Sequence, residues 1–297
     1  MLRRSASKLR KNVPMRQIMS VANPFRGCHA APNHGKILMN LIDSLIQNFG
    51  IAPLVASFFI ALFAAFVKGA VGFALPMIMI GGLASFMPAD MAVAGLLLPT
   101  LVTNIWQTMR GGRSVALDVL RLYWRFNLVF AVTMIASAQL VVVVPDQILF
   151  VVLGGIIAVF GLLQVFGVRF RFDPAYRNRV EVALAIVSGL IGGLSGVWGP
   201  PLILYLLALN IPKAEQVRAL AITFLLGSVI LVAAHLKSGL LNVRTLPFSA
   251  FLVLPAIIGM TLGNRVHDRL DQELFRKLTL LVLVIAGLNL LRRGFFG

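Results

Sequence analysis

Acidic side chains are scarce. Ten Asp and Glu stand against 27 Lys and Arg in 297 residues, and only 12% of the chain is charged. Cysteine occurs once, at Cys28, so no internal disulfide can form. No Cys/His group has the spacing of a metal site, and no G-x-x-x-x-G-K-[ST] stretch is present to hold a nucleotide. ATP hydrolysis therefore has no residues to rest on, and no cofactor is expected. Asp and Glu are also missing from the middles of the apolar runs, which leaves a coupling proton without an obvious carboxylate.

Apolar sequence is abundant instead. The chain is 59% hydrophobic, with a mean hydropathy of +0.92. Those values define an all-α, polytopic helical membrane protein whose environment is the lipid bilayer. The net charge of +17 does not mark a nucleic-acid binder. The basic residues sit in the first 36 positions and in short loops between apolar runs, the distribution that orients a membrane protein.

Residues 1–36 carry eight Lys and Arg and no acid, with no apolar period, and read as a disordered basic segment. A signal peptide is not expected, because the n-region is too long and no small-residue cleavage pattern follows an h-region. Met39, directly before the first amphipathic stretch, is an alternative start. Residues 37–50 form a short amphipathic lead-in, with Ile37, Leu41, Leu45 and Phe49 at helical spacing. Up to ten helical segments follow. Two apolar runs, 73–87 and 199–210, are too short to cross a bilayer comfortably.

An internal repeat accounts for the short runs. A shift of 124 residues carries Gly69 onto Gly193, Gly72 onto Gly196, Pro76 onto Pro200, Pro88 onto Pro212 and Asn104 onto Ser228. The expected organisation is a first transmembrane repeat over 37–168, a basic cytoplasmic linker over 169–180 and a second repeat over 181–297. Each half holds one segment broken by Gly and Pro. If each broken pair crosses once, there are about eight crossings and the repeats are parallel. The basic loops 110–125 and 169–179 then lie in the cytoplasm together with both termini.

The breaks are the candidate binding site. Irregular backbone at membrane depth survives only where protein buries it or where it lines a cavity, and paired breaks in two halves point to a transporter's site. A half-helix starting at Pro76 or Pro200 leaves backbone N–H groups free, and its dipole favours an anion. The candidate substrate-binding residues are Lys68, Gly69, Gly72, Pro76, Asn104, Gly193, Ser195, Gly196, Trp198, Pro200 and Arg218. The bland alternatives are tight helix packing for the glycines, snorkelling for Lys68 and a local pair with Glu215 for Arg218. Thr100, Thr103, Asn104 and Gln107 share one helix face, either bonding between helices or lining a path. His235, at the end of its run, reads first as an interfacial cap and second as a proton relay.

Gly193-Leu194-Ser195-Gly196 also spells the GxSG of an intramembrane serine protease, with His235 as general base. The first half repeats the glycines with Val71 in place of the serine, so they belong to the scaffold and the serine is incidental.

The stretches KGAVGFALPM, SGLIGGLSGVWGPPLILYLLAL and IPKAEQVRALAITF resemble the sulfite exporter TauE/SafE family, also described as the toluene sulfonate uptake permease family. The resemblance covers nearly all of the chain after residue 45. It implies a multi-pass carrier of the inner membrane built from a duplicated four-helix unit. It also implies small sulfur-containing or carboxylate anions as substrates, moved by secondary transport and without enzymatic activity. A coupling proton and a second copy of the chain remain open as partners. An anion channel is the further alternative, although only the third run carries a polar stripe.

Overall fold

The computed structural model describes residues 43, 45–111, 114–166, 176–209, 211–266 and 272–296. The basic segment 1–36 and most of the linker 169–180 lie outside them. Met1–Ser44 and Leu45–Gly297 are separate units, and the second carries the architecture.

Its helices are α1 (Ile51–Val71), α2 (Leu75–Leu83), α3 (Ala89–Gly111), α4 (Ser114–Leu122), α5 (Trp124–Ala138), α6 (Asp146–Val165), α7 (Arg177–Ser195), α8 (Gly199–Ala208), α9 (Lys213–Ser238), α10 (Thr245–Phe251), α11 (Val253–Val266) and α12 (Gln272–Phe296). No strand occurs among the described residues. Among the described residues, six stretches are long and apolar enough to cross a membrane: α1, α3, α6, α7, α9 and the run through α10 and α11. On α1 the exposed Ile51, Val55, Phe59 and Phe63 fall four apart, one face of a helix, while Leu54, Ala61, Ala64, Ala65 and Lys68 are buried.

Both breaks use one device. Gly72 takes φ 88° and its N–H closes on Lys68 O at 2.7 Å, which ends α1. Gly196 takes φ 71° and closes on Gly192 O at 2.8 Å, which ends α7. A left-handed residue is needed there, and glycine adopts it without penalty. Short helices then restart with proline in the first turn, where the missing N–H costs nothing. The offset seen in the sequence recurs in the elements: α2 begins at Leu75 and α8 at Gly199, α3 at Ala89 and α9 at Lys213.

Helix directions show how the equivalent elements are related. Asn104 of α3 bonds to Phe224 of α9 and Thr108 to Ala221, so these equivalent helices run antiparallel. In α6 and α12, Gly154 lies against Gly287 and Leu291 while Gly161 lies against Leu280 and Val284, again antiparallel. The exchanged pairs run parallel. Phe126 and Ser137 of α5 meet Glu181 and Gly189 of α7, and Leu62 and Phe66 of α1 meet Gly259 and Gly263 of α11.

Equivalent elements that pack antiparallel are inverted, so the expectation of parallel repeats is overturned. The reason lies in α2. It folds back on α1, with Gly82 against Ile60, so the broken pair returns the chain toward the end it came from. An odd number of passes per half follows. The start of α1, the 84–88 turn, the link 139–145 and the end of α12 then share one end of the bundle. Arg121, Arg125 and Arg177 lie at the other. The basic loops and both ends of the helical body therefore do not sit on one side, as the once-crossing count requires.

Small residues hold these crossings. A methyl on Gly69 would sit 2.6 Å from Met260 O, and one on Gly193 would sit 2.5 Å from Met134 O. Such contacts let backbones approach within the membrane, where dispersion and close packing replace hydrophobic driving force.

Candidate functional site

The two breaks meet across one cavity. It is lined by Lys68 at the end of α1, by Phe73, Ala74, Pro76 and Met77 from the first break, and by Asn104 of α3. Gly196, Val197, Trp198, Gly199, Pro200 and Ile203 come from the second break, and Phe224 from α9. The space in which the centre of a water-sized solute can move is about 30 Å³. A single water needs roughly 10–15 Å³ on that measure, so the room suits a solute of a few heavy atoms.

Several lining positions are partners in the repeat. The same offset carries Phe73 onto Val197, Ala74 onto Trp198 and Pro76 onto Pro200, so the pseudosymmetry passes through the cavity. The electrostatics break it. Lys68 is 2% exposed, and its counterpart is Gly192. Its Nζ donates to Thr103 Oγ1 at 3.0 Å and to Asn104 Oδ1. Both partners are neutral, and no ion pair to Lys68 occurs among the described residues. An ammonium has three N–H bonds, which leaves one for the cavity it lines.

Asn104 is fixed at both ends, since its Nδ2 donates to Phe224 O at 3.0 Å. Thr103 spends its own proton on Pro99 O at 2.7 Å. Gln107 donates to Gly72 O at 3.0 Å and so ties α3 to the first break. The polar face of α3 therefore serves both readings: Asn104 reaches the cavity, while Thr103 and Gln107 bond between elements.

Backbone donors add to the ammonium. No side chain caps α2 or α8. Ala74, at the N-cap of α2, is 3% exposed and has φ 81°, the one non-glycine residue at positive φ among those described. Such a conformation costs of order 1 kcal/mol or more and persists where the surroundings impose it. The second end is poorer, because Pro200 and Pro201 carry no N–H.

Of the residues singled out from sequence, Lys68, Pro76, Asn104, Gly196, Trp198 and Pro200 line the cavity. Gly69 and Gly193 sit at helix crossings beside it, and Gly72 ends α1. Arg218 is exposed on α9 and lines no part of the cavity. Ser195 Oγ donates to Ile191 O at 2.6 Å and accepts from Val197 N–H at 2.9 Å. His235 Nδ1 instead lies 3.3 Å from Ser238 Oγ, so Ser195 and His235 form no dyad. His235 is buried rather than interfacial.

The apolar walls Phe73, Met77, Val197, Ile203 and Phe224 were not singled out. Phe73 and Val197 were legible in principle, because they occupy repeat-related positions directly after the two break glycines. Aromatic rings extend the wall on one side: Trp198 stands 6.1 Å from Phe224 and 6.2 Å from Phe130, and Phe126 stacks on Tyr205 at 5.2 Å. Trp198 Nε1 is buried without a partner.

An inverted pair of broken helices around a small cavity lined by one buried lysine defines a polytopic helical membrane protein built from inverted repeats. The chain belongs to the sulfite exporter TauE/SafE family, which it matches over residues 57–290. It is 30% identical over 128 residues to the probable membrane transporter protein YunE of Bacillus subtilis (strain 168). That match covers 42% of this chain and 45% of the relative, a little under half of each. No solved structure matches the chain.

Proposed function

We propose that the protein is a secondary carrier of small anions: sulfur oxyanions, sulfonates or small carboxylates. The observation that carries this is Lys68, a buried ammonium with only neutral partners, facing a cavity at two uncapped helix starts. A buried charge without a counter-ion is costly, and an anion in the cavity supplies the counter-ion. The family's description as a sulfite exporter and the relative's name as a membrane transporter support the same reading. The room of about 30 Å³ favours small solutes.

The protein moves its substrate without chemical change. Ser195 has both its donor and its acceptor capacity engaged by backbone, which speaks against the protease. A polar stripe on only the third apolar run speaks against a channel. We place the protein in a cell inner membrane, with the end that carries Arg121, Arg125 and Arg177 in the cytoplasm. Counterflow of labelled sulfite or methanesulfonate in proteoliposomes tests the function. Accumulation against unlabelled internal anion is expected, and its loss in K68M ties it to the cavity. Flux that never shows counterflow identifies a channel, and no flux with any small anion sinks the reading.

A further inference from the structure

Three ionisable side chains are buried in the helices among the described residues: Lys68, Glu181 and His235. Lys68 belongs to the anion cavity. Glu181 accepts the N–H of Phe126 at 3.1 Å, in the first turn of α5, so its charge is already engaged at a helix start. His235 alone has a position open to a proton.

The bonds around the ring decide which nitrogen is open. Ser238 Oγ spends its proton on His235 O at 3.3 Å and accepts the N–H of Leu240 at 3.4 Å. It can accept once more, from His235 Nδ1 at 3.3 Å. The neutral ring then carries its hydrogen on Nδ1. That leaves Nε2 as a bare lone pair, buried with no hydrogen-bond partner. The carbonyl of Gly193 acts on the ring from α7 without closing a bond to Nε2.

Burial opposes a positive charge on the ring, and the helix ends around it act against that cost. His235 lies in the last turn of α9, and Gly193 in the last turn of α7. The end of α5 closes the group: Gln139 donates to Ala234 O at 3.3 Å, and Gly193 packs against Met134 and Ala138. Three helix C-termini converge, each with a partial negative charge. The groups facing the ring are the Ser238 hydroxyl and the Gly193 carbonyl, with the polar Ser137 and Gln139 on the packed end of α5. The cation adjacent in sequence, Lys237, is exposed.

We propose that His235 is the binding site of the proton that couples to anion movement, a reading that rests on the carrier function above. With a proton on Nε2 the imidazolium donates to Gly193 O and holds the last turn of α7. Three residues further on, Gly196, Val197 and Trp198 wall the anion cavity. Proton and anion thus bind on opposite sides of one break, and each biases the same hinge. By linkage each must strengthen the other by the same factor, about tenfold for coupling of ordinary size.

The test uses the full chain with ¹⁵N-labelled histidine in nanodiscs. The chain has four histidines, and H235Q assigns the signal of interest. The expected result is a His235 resonance that changes protonation state with pH and gains about tenfold in proton affinity with saturating methanesulfonate, an anion that carries no proton of its own above strongly acidic pH. H235Q is expected to lose the response of anion uptake to a pH gradient. S238A, which removes only the hydroxyl holding Nδ1, is expected to shift the titration and keep counterflow. A His235 that stays in one protonation state, or ignores the anion, in a protein that still shows counterflow overturns the proton site and leaves the carrier standing. Absence of counterflow in the wild type overturns the carrier itself, and the coupling with it.

Discussion

Lys68 carries the largest consequence of any single side chain. Without an anion it is a desolvated charge held by one hydroxyl and one amide oxygen. Replacing a poorly compensated buried charge by an apolar side chain of similar length is often neutral or stabilising. K68M is therefore expected to melt at or above the wild-type temperature when no anion is present. It is also expected to lose the rise in melting temperature that sulfite or methanesulfonate gives the wild type. A charge-assisted hydrogen bond contributes about 2 kcal/mol, so anion affinity measured by titration falls roughly 30-fold. A K68M protein that keeps the anion-induced shift means that the uncapped helix starts do the binding alone. Asn104 bears on the same point, because its amide orients the ammonium and ties α3 to Phe224 of α9. N104A is expected to lower both anion affinity and stability, unlike K68M, because it also removes the side-chain tie between α3 and α9.

At the scale of the elements, the breaks separate two uses of small residues. Gly193 is a contact residue: an added methyl would meet Met134 O at 2.5 Å, and overpacking of that kind costs about 1–3 kcal/mol. G193A is expected to lower the melting temperature whether or not anion is bound. Ala74 is the reverse case. Its φ of 81° suits glycine, so A74G is expected to stabilise the protein by about 1 kcal/mol in thermal melts. A destabilised A74G would mean that the methyl's contacts outweigh the relief of strain. These positions also show what the sequence made legible. Gly72, Gly196, Pro76 and Pro200 betrayed the breaks because a left-handed stop and a proline start are written in residue type. Their common offset betrayed the repeat. Ala74 was invisible, since nothing about alanine announces a positive φ. The partners of Lys68 were half visible: Thr103 and Asn104 shared a face by spacing, but only the fold brings that face to the end of α1. His235 misled, because a histidine late in an apolar run looks interfacial until α5 and α7 are packed around it.

For the whole molecule, the point hidden from the sequence was direction. Loop charges alone allowed parallel halves, since a short apolar run does not say whether it continues its predecessor or folds back on it. The contact of Gly82 with Ile60 decides for folding back, and the antiparallel pairing of α3 with α9 and of α6 with α12 follows. Orientation then turns on which charges count. Only those within about 15–20 residues of a span weigh strongly, so most of the basic arm at 1–36 is too far from Ile51 to matter. Near the other end of the bundle, Arg121, Arg125, Arg177 and Arg179 flank the spans, with further basic residues in the same loops. At the end shared with the α12 terminus, Lys237, Arg244, Arg292 and Arg293 are fewer, and Arg293 is drawn inward over Phe150 at 4.4 Å and onto Met87 O at 3.3 Å. The denser end is expected in the cytoplasm, which puts the end of α12 outside, contrary to cytoplasmic termini. A reporter fused after Gly297 that is active only outside the cytoplasm is expected to be active, and one inserted near Gly112 inactive. The opposite pattern would show that the basic arm sets the orientation. Equal activity at both sites would contradict the inverted arrangement itself, because the C-terminal ends of α3 and α12 lie at opposite ends of the bundle.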